Sequence, residues 1–568
     1  MFDLLVRNGR IIDGTGQPGY HGDVAIQAGR IVETGRIGAA RAQRVIDADG
    51  LIVAPGFIDH HTHLDAQLLW DPLASSSCWH GVTTVVTGNC SLSLAPCKPE
   101  DRSDLVSGLV RVEAISRKAL EAGVDWRWTT FGQYLKRLEE QRGVNVACLV
   151  GHTAIRQFAM GAAATERAAS ADEIEVMCDQ LRLALRVGAA GMSINQSKHH
   201  FLEDGRALPS TVAQHDELLA LARVMAETNV GLLQVNGGTM GTEVDPRDNY
   251  AFLRSLADAN GRPMLFNQIA HKWQTPELWK EVLKLGEQCL ADGYRIHGTC
   301  STLPTSFEFT LMNVQLLFDN MPTWRPLMFA PRAERLAGFA DPARRPLLRF
   351  EALEEKTIKS FHKRWELVTI EKTFRPENAC WLGSNIAALA AQQGKHPVDA
   401  FLDLALSENL DTVFKTVLGN GDKEAVGQML RHPATIVGTS DAGAHTSFLA
   451  DYGYCTELLG PWVRDRGLMS LEQAVSRLTL MPATLFGFDD RGQIRPGFAA
   501  DLVLFDAATV APCKPELVFD YPAGEARQAQ AARGIEATIV NGEVLIENGR
   551  HSGALPGRVL RNARAEAS

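Results

Sequence analysis

Eight short apolar runs, each closing on a cluster of polar residues and separated by longer helix-like stretches, constrain the fold of this 568-residue chain more than any other feature. They are GFIDHHTH (56–63), GVTTVVTGNC (81–90), NVACLVGHT (145–153), GAAGMSINQ (188–196), VGLLQVNGG (230–238), RPMLFNQIAH (262–271), YRIHGTCST (294–302) and ATIVGTSDAGAH (434–445). Stretches such as TVAQHDELLALARVMAET (211–228) and TPELWKEVLKLGEQCLADG (275–293) carry the helical period between them. Strands alternating with helices predict repeated βα units and a parallel sheet. Eight such units predict an α/β fold, a (β/α)8 TIM-like barrel with its active site at the carboxyl ends of the strands.

The flanks read differently. LLVRNGRIIDG, DVAIQAGRIVETG and RVIDADGLIVAPG near the start, and IEATIVNGEVLIENGR near the end, alternate apolar and polar positions around glycine turns. Both ends are therefore expected to build one small β-sandwich, from residues 1–54 plus 486–568, around a barrel of residues 55–485. One connection, about 313–430 between the seventh and eighth strands, is much longer than the others and is expected to form a lid or substrate wall.

Charge narrows the partners. A net charge of -10 with no basic run argues against a nucleic-acid or anionic-membrane surface. A small-molecule substrate is expected instead. The N-terminus, MFDLLVRNGRIIDGTG, has neither the basic region nor the apolar core of a targeting segment, and no apolar stretch of membrane length follows. Ten scattered cysteines read as reduced thiols and suggest a cytoplasmic enzyme.

Residues two apart on a strand share a face, so His61 and His63 converge while His60 points the other way. Two imidazoles from one rigid strand suit a borderline-soft divalent ion such as zinc, although a merely polar strand end is the plainer reading. Asp441, in SDAGAH at the end of the eighth strand, would face them across the seam of a barrel. A carboxylate there can bind the metal and accept a proton from water, or open the following helix.

Together these segments resemble the amidohydrolase superfamily, and within it the N-acyl-D-amino-acid deacylases. The likeness runs through VRNGRIIDGTG, APGFIDHHTH, GVTTVVTGNCS, LVGHTAIRQFAMG, SDAGAH, LEQAVSRLTLMPATLFGFDDRGQIRPGFAADLVLFD and ATIVNGEVLIENG. It implies metal-dependent hydrolysis of an amide bond, with His61, His63, Cys90 and Asp441 as metal ligands and Asp441 as the catalytic acid and base. Without the family, Cys90 reads as a buried thiol. The implied cofactor is one zinc per chain, a two-metal site being the alternative, and the implied assembly is a homo-oligomer.

The resemblance also has gaps. Where typical deacylases place a metal-binding histidine on the fifth and sixth strands, this chain has Asn236 and either Asn267 or Gln268. His271 would need a three-residue shift that reverses its facing, so a single metal without it is expected. His152 and Arg156, in GHTAIR, match a motif that lines the pocket in the family. The resemblance implies a substrate or oxyanion role for His152, with a structural hydrogen bond as the alternative, and for Arg156 either a carboxylate partner on the substrate or a salt bridge. His445 is expected either to stand in electrostatically for a missing histidine or to cap a turn. His199 and His200 read as a solvent-facing pair at the mouth. Glu113, in LVRVEAISRKAL, reads as part of a solvated helix face, with a further metal ligand as the alternative. Two rival functions remain. One is opening of a cyclic amide, for which the family's lysine bridge would have to come from Lys198, past the fourth strand. The other is a barrel that has lost catalysis and serves as a binding protein.

Overall fold

All eight runs form strands, and they pair in parallel in chain order. We number them β1 (Phe57–Asp59), β2 (Val82–Thr87), β3 (Asn145–Gly151), β4 (Gly191–Asn195), β5 (Leu232–Asn236), β6 (Met264–Asn267), β7 (Ile296–Cys300) and β8 (Thr435–Val437). The computed structural model describes every residue except 39–40, 199, 238–243, 314–316, 358, 447–448 and 566–568. Strands such as β2 and β5 are buried at every position. That is the reason they read as near-continuous apolar runs: a parallel sheet is covered on both faces, so neither face can afford polar alternation.

The sheet curls until its edges meet. Beyond β1 and β8 the chain forms a parallel bridge between Thr62 and Ala442, and the His63 amide donates to the Ala442 carbonyl at 2.7 Å. His60, buried under this seam, has Nε2 3.1 Å from the Val437 carbonyl. A Cβ on Gly438 would lie 2.0 Å from that ring nitrogen, so only glycine lets the two strands close here. The register places Asn195, Asn236 and Asn267 side by side at the ends of β4, β5 and β6.

Both flanks enter one mixed sheet. The strands Ile52–Pro55 and Leu502–Phe505 run antiparallel, with Val53 opposite Leu504, and join the N-terminal strands to those at Ile535–Val540 and Glu543–Glu547. Its apolar face buries Leu4, Val24, Ile26, Leu502 and Ile539; full burial of each such side chain is worth roughly 1.5–3 kcal/mol. The expected unit of 486–568 is not confined to this sheet. Val559–Leu560 pairs in parallel with Val146 and Ala147 of β3, and Asn562 Nδ2 caps the carbonyls of Leu185 and Ala189.

The long connection is a folded unit. Strands Thr305–Phe309, Val413–Gly419 and Val368–Lys372 form an antiparallel sheet with its own core, which includes Phe309, Trp324, Phe361, Phe401 and Phe414. It starts ahead of the expected residue 313, because Phe307 and Phe309 belong to that core. A bridge between Lys272 and Gly419 ties it to the chain leaving β6.

Candidate metal centre

His61 and His63 leave β1 with rings 5.5 Å apart at 70°, and their ligand atoms gather with Cys90 Sγ within 4.8 Å of one another. Cys90 Sγ lies 3.5 Å from His61 Nε2. Ligands bound tetrahedrally at ordinary zinc distances stand about 3.3–3.6 Å apart, so this pair has the spacing of two ligands sharing one ion. Asp441 Oδ1 is 3.1 Å from His61 Nε2 and 3.9 Å from His63 Nε2. Its side chain keeps 38% of its surface accessible, whereas both histidines are 1% exposed. The carboxylate is therefore the member of the cluster most open to the cavity.

Backbone conformation aims these groups. Cys90, Asp441 and His445 all take left-handed φ, at 54°, 45° and 55°. Such conformations cost non-glycine residues on the order of 1–3 kcal/mol each and persist only when the surroundings impose them. For Cys90 the imposing partners are visible: its amide donates to Gln234 Oε1 at 2.9 Å, and its carbonyl accepts from Asn195 Nδ2 at 3.2 Å.

The electrostatics suit a cation. Burial lowers His63 to about 3, the Asp441 charge only partly offsetting it, so the ring is neutral as a ligand must be. Burial pushes the Cys90 thiol well up, and the charges of Glu113 and Asp441 push it further. A thiolate forms there when a cation replaces the proton. Burial would raise Asp441 too, but the hydrogen bond with His61 and electrostatic attraction to the His61, His63 and His445 rings hold it below the ordinary carboxylate range.

Asn267, the last residue of β6, settles which amide faces the centre. Its Oδ1 accepts from Thr299 Oγ1 at 3.3 Å, which turns Nδ2 to within 3.5 Å of Cys90 Sγ and 3.3 Å of His61 Nε2. It supports the sulfur as a donor. Asn236 lines the same cavity with an unpartnered Oδ1, as does Gln268 with its Oε1. His271 is elsewhere: its amide donates to Asn420 Oδ1, and its ring packs edge-on against Trp273.

Several expectations are corrected. Glu113 is not on a solvated face. It ends helix α1 (Arg102–Glu113), is 3% exposed, and puts Oε2 3.6 Å from His63 Nε2 and 3.7 Å from His445 Nε2. Burial, with Asp441 and Asp65 adding charge, raises its carboxyl well above the usual range. His445 meets it twice, since the His445 amide donates to the Glu113 carbonyl at 2.5 Å. His200 is buried in the cavity wall, with Nδ1 2.6 Å from Asn195 Nδ2, whereas His199 lies outside the described residues.

His152 and Arg156 open helix α2 (His152–Met160) but turn away from the ligand cluster. Both are fully buried on Glu217 of helix α3 (His215–Thr228). His152 Nε2 is 2.8 Å from its Oε1, and Arg156 Nη1 is 3.0 Å from its Oε2. Ser210 Oγ occupies the other His152 nitrogen, at 2.9 Å, so neither side chain is placed to receive a substrate. Lys198 is exposed beyond β4 and does not line the cavity. Sequence reading missed Asp451, a third carboxyl group in the lining. It stands ten residues beyond Asp441, and no spacing rule marks it.

A curled parallel sheet with clustered metal-type ligands at its carboxyl ends defines a metal-dependent hydrolase class, and the chain belongs to the amidohydrolase family, whose model matches residues 44–546. Within it, the chain is 29% identical over 573 residues to a D-aminoacylase from Alcaligenes xylosoxydans xylosoxydans, covering 99% of this chain and 98% of that protein. An N-acyl-D-glutamate deacylase from the same organism is 28% identical over 98% of this chain and 96% of its own length. Among solved structures, N-acyl-D-glutamate deacylase from Bordetella bronchiseptica, complexed with zinc and a phosphonate inhibitor that mimics the tetrahedral intermediate, superposes with a TM-score of 0.67. That likeness carries 28% identity and covers 99% of each chain. The chain is thus a D-aminoacylase-like amidohydrolase with no helix long and apolar enough to cross a membrane among its described residues.

Proposed function

We propose that this amidohydrolase is a zinc-dependent deacylase that cleaves the amide C–N bond of an N-acyl (D-)amino acid or related N-acyl compound, its curled sheet closing as a (β/α)8 barrel beside a β-sandwich. The observation that carries the reading is the convergence of His61, His63, Cys90 and Asp441, from β1, β2 and β8, at one end of the sheet. Two imidazoles, a thiol and a carboxylate at these spacings fit a divalent ion. When bound, zinc would polarise the amide carbonyl and acidify the attacking water. Asp441, ionised and open to the cavity, takes the water's proton and returns it to the leaving nitrogen. Asn267 holds the Cys90 sulfur by donation, and Glu113 positions His63 and His445. His445 takes the substrate-facing role expected of His152. Likeness to a D-aminoacylase and to an N-acyl-D-glutamate deacylase supports the substrate class.

The test is zinc content per chain, with hydrolysis of N-acetyl-D-amino acids measured on the same preparations of wild type, His63→Ala and Cys90→Ala. About one zinc per chain, lost together with turnover in His63→Ala, is expected. Metal content indifferent to His63, or turnover that survives its loss, overturns the assignment.

A further inference from the structure

The cavity over the ligand cluster is built to accept hydrogen bonds and positive charge. Three carboxyl groups line it, Glu113, Asp441 and Asp451, and among the described residues no lysine or arginine does. The residues outside the description contain no lysine or arginine either. Arginines do line a second cavity beyond the end of α1, but they are engaged: Arg111 with Asp319 at 2.5 Å, Arg117 with Glu203, and Arg335 with the carbonyls of Leu311 and Met328.

The three carboxyl groups are not equivalent. Asp441 and Glu113 are taken up by His61, His63 and His445. Asp451, at the start of the short helical turn Asp451–Gly453, has no hydrogen-bond or ion-pair partner for its side chain among the described residues. Burial, followed by the charge of Asp441, pushes it up to about 7. A second observation points the same way. Asn236 is 2% exposed, and its side-chain oxygen has no partner although it lines the cavity; the Gln268 side-chain oxygen is buried and unpartnered there as well. Unsatisfied buried acceptors call for a guest that donates.

A bound dication would not change this balance. Its two charges are matched by the Cys90 thiolate and the Asp441 carboxylate, so the lining holds no spare positive charge for a side-chain carboxylate added to the α-carboxylate that every N-acyl amino acid already carries. We propose that the cavity selects N-acyl compounds whose amine portion carries a protonated amino or guanidino group, received by Asp451. The proposal rests on the deacylase reading and narrows it away from the acidic substrates for which several relatives are named.

The experiment uses zinc-loaded full-length protein and the N-acetyl derivatives of D-lysine, D-norleucine and D-glutamate, which differ chiefly in side-chain charge. The expected kcat/KM for the lysine compound exceeds that for the neutral one by about 10-fold, and that for the acidic one by about 100-fold. Asp451→Asn should bring the lysine-to-norleucine ratio close to one, Asp451→Glu should retain most of it, and both should keep the wild-type thermal midpoint. Calorimetric titration with D-lysine, the product, reads the same subsite without turnover, and Asp451→Asn should weaken that binding about 10-fold. Loss of lysine binding in the variant when no derivative is hydrolysed supports the subsite and sinks only the deacylase reading. Equal turnover of lysine and glutamate derivatives, or a charge preference and lysine affinity unmoved by Asp451→Asn, overturns the proposal.

Discussion

Glu217→Ala separates structure from catalysis in the region where the sequence misleads most. Glu217 accepts from His152 at 2.8 Å and from Arg156 at 3.0 and 3.2 Å, all three side chains lying at 0–1% exposure. Removing the carboxylate leaves the Arg156 guanidinium buried with only backbone carbonyls, Ala164 at 3.3 Å and Arg167 at 2.6 Å, and the Met160 sulfur at 3.3 Å. Breaking a buried pair in this way costs about 3–5 kcal/mol, because the remaining charge stays out of water. Unfolding entropy near 2.1 cal/mol/K per residue, taken over the whole chain, comes to about 1.2 kcal/mol/K, so the expected fall in thermal midpoint is about 3–4 °C. Calorimetry would read it, alongside KM and zinc content. The double variant Arg156→Met/Glu217→Leu should recover most of the loss, since an apolar pair of similar volume replaces the ion pair without stranding a charge. A midpoint within 1 °C of wild type together with a raised KM would refute the reasoning and return His152 and Arg156 to the substrate pocket.

Gly438→Ala should destabilise by at least about 1–3 kcal/mol and lower zinc occupancy, since the new Cβ would meet His60 Nε2 at 2.0 Å in the seam. Adding His60→Ala should restore occupancy in a metal assay, and failure to do so would mean the seam is not what the glycine protects. His80, buried between Thr456 and the Gln530 carbonyl, is lowered by burial to about 4, the carbonyl only partly opposing. The unfolded chain therefore takes up a proton that the folded chain refuses as pH falls below about 6.5. Its contribution to stability, about 3 kcal/mol, is full above that pH and disappears by about 4, and denaturation of His80→Gln should show a correspondingly flatter slope from pH 7 to 5.

The parallel sheet was legible because burial on both faces turns strands into apolar runs, and because each run stops where the polar ends of a site begin. His61 and His63 were legible from a period of two. Glu113 was not: its helix carries arginines and a lysine nearby, and only the packing of α1 against the ligand strands reveals that its last residue turns inward. For His152 and Arg156 the choice between pocket and structural ion pair could not be made locally, because their partner, Glu217, lies 65 and 61 residues further on. The choice between Asn267 and Gln268 needed the Thr299 hydroxyl on the adjacent strand. The pairing of Val559–Leu560 with β3 was unreadable for a different reason: two residues carry no period at all.

The seam between β1 and β8 also sets a timetable. Ser440 and Asp59, hydrogen-bonded across it at 2.6 Å, are 381 residues apart in the chain. At about 5–20 residues per second, a ribosome takes roughly 20–80 s to deliver Asp441 after His61 has emerged. His61, His63 and Cys90 are therefore made well before the carboxylate that stands beside them in the folded sheet. Closure of the sheet and completion of the ligand cluster thus wait on the same late segment of the chain, so a truncation ahead of β8 removes both at once.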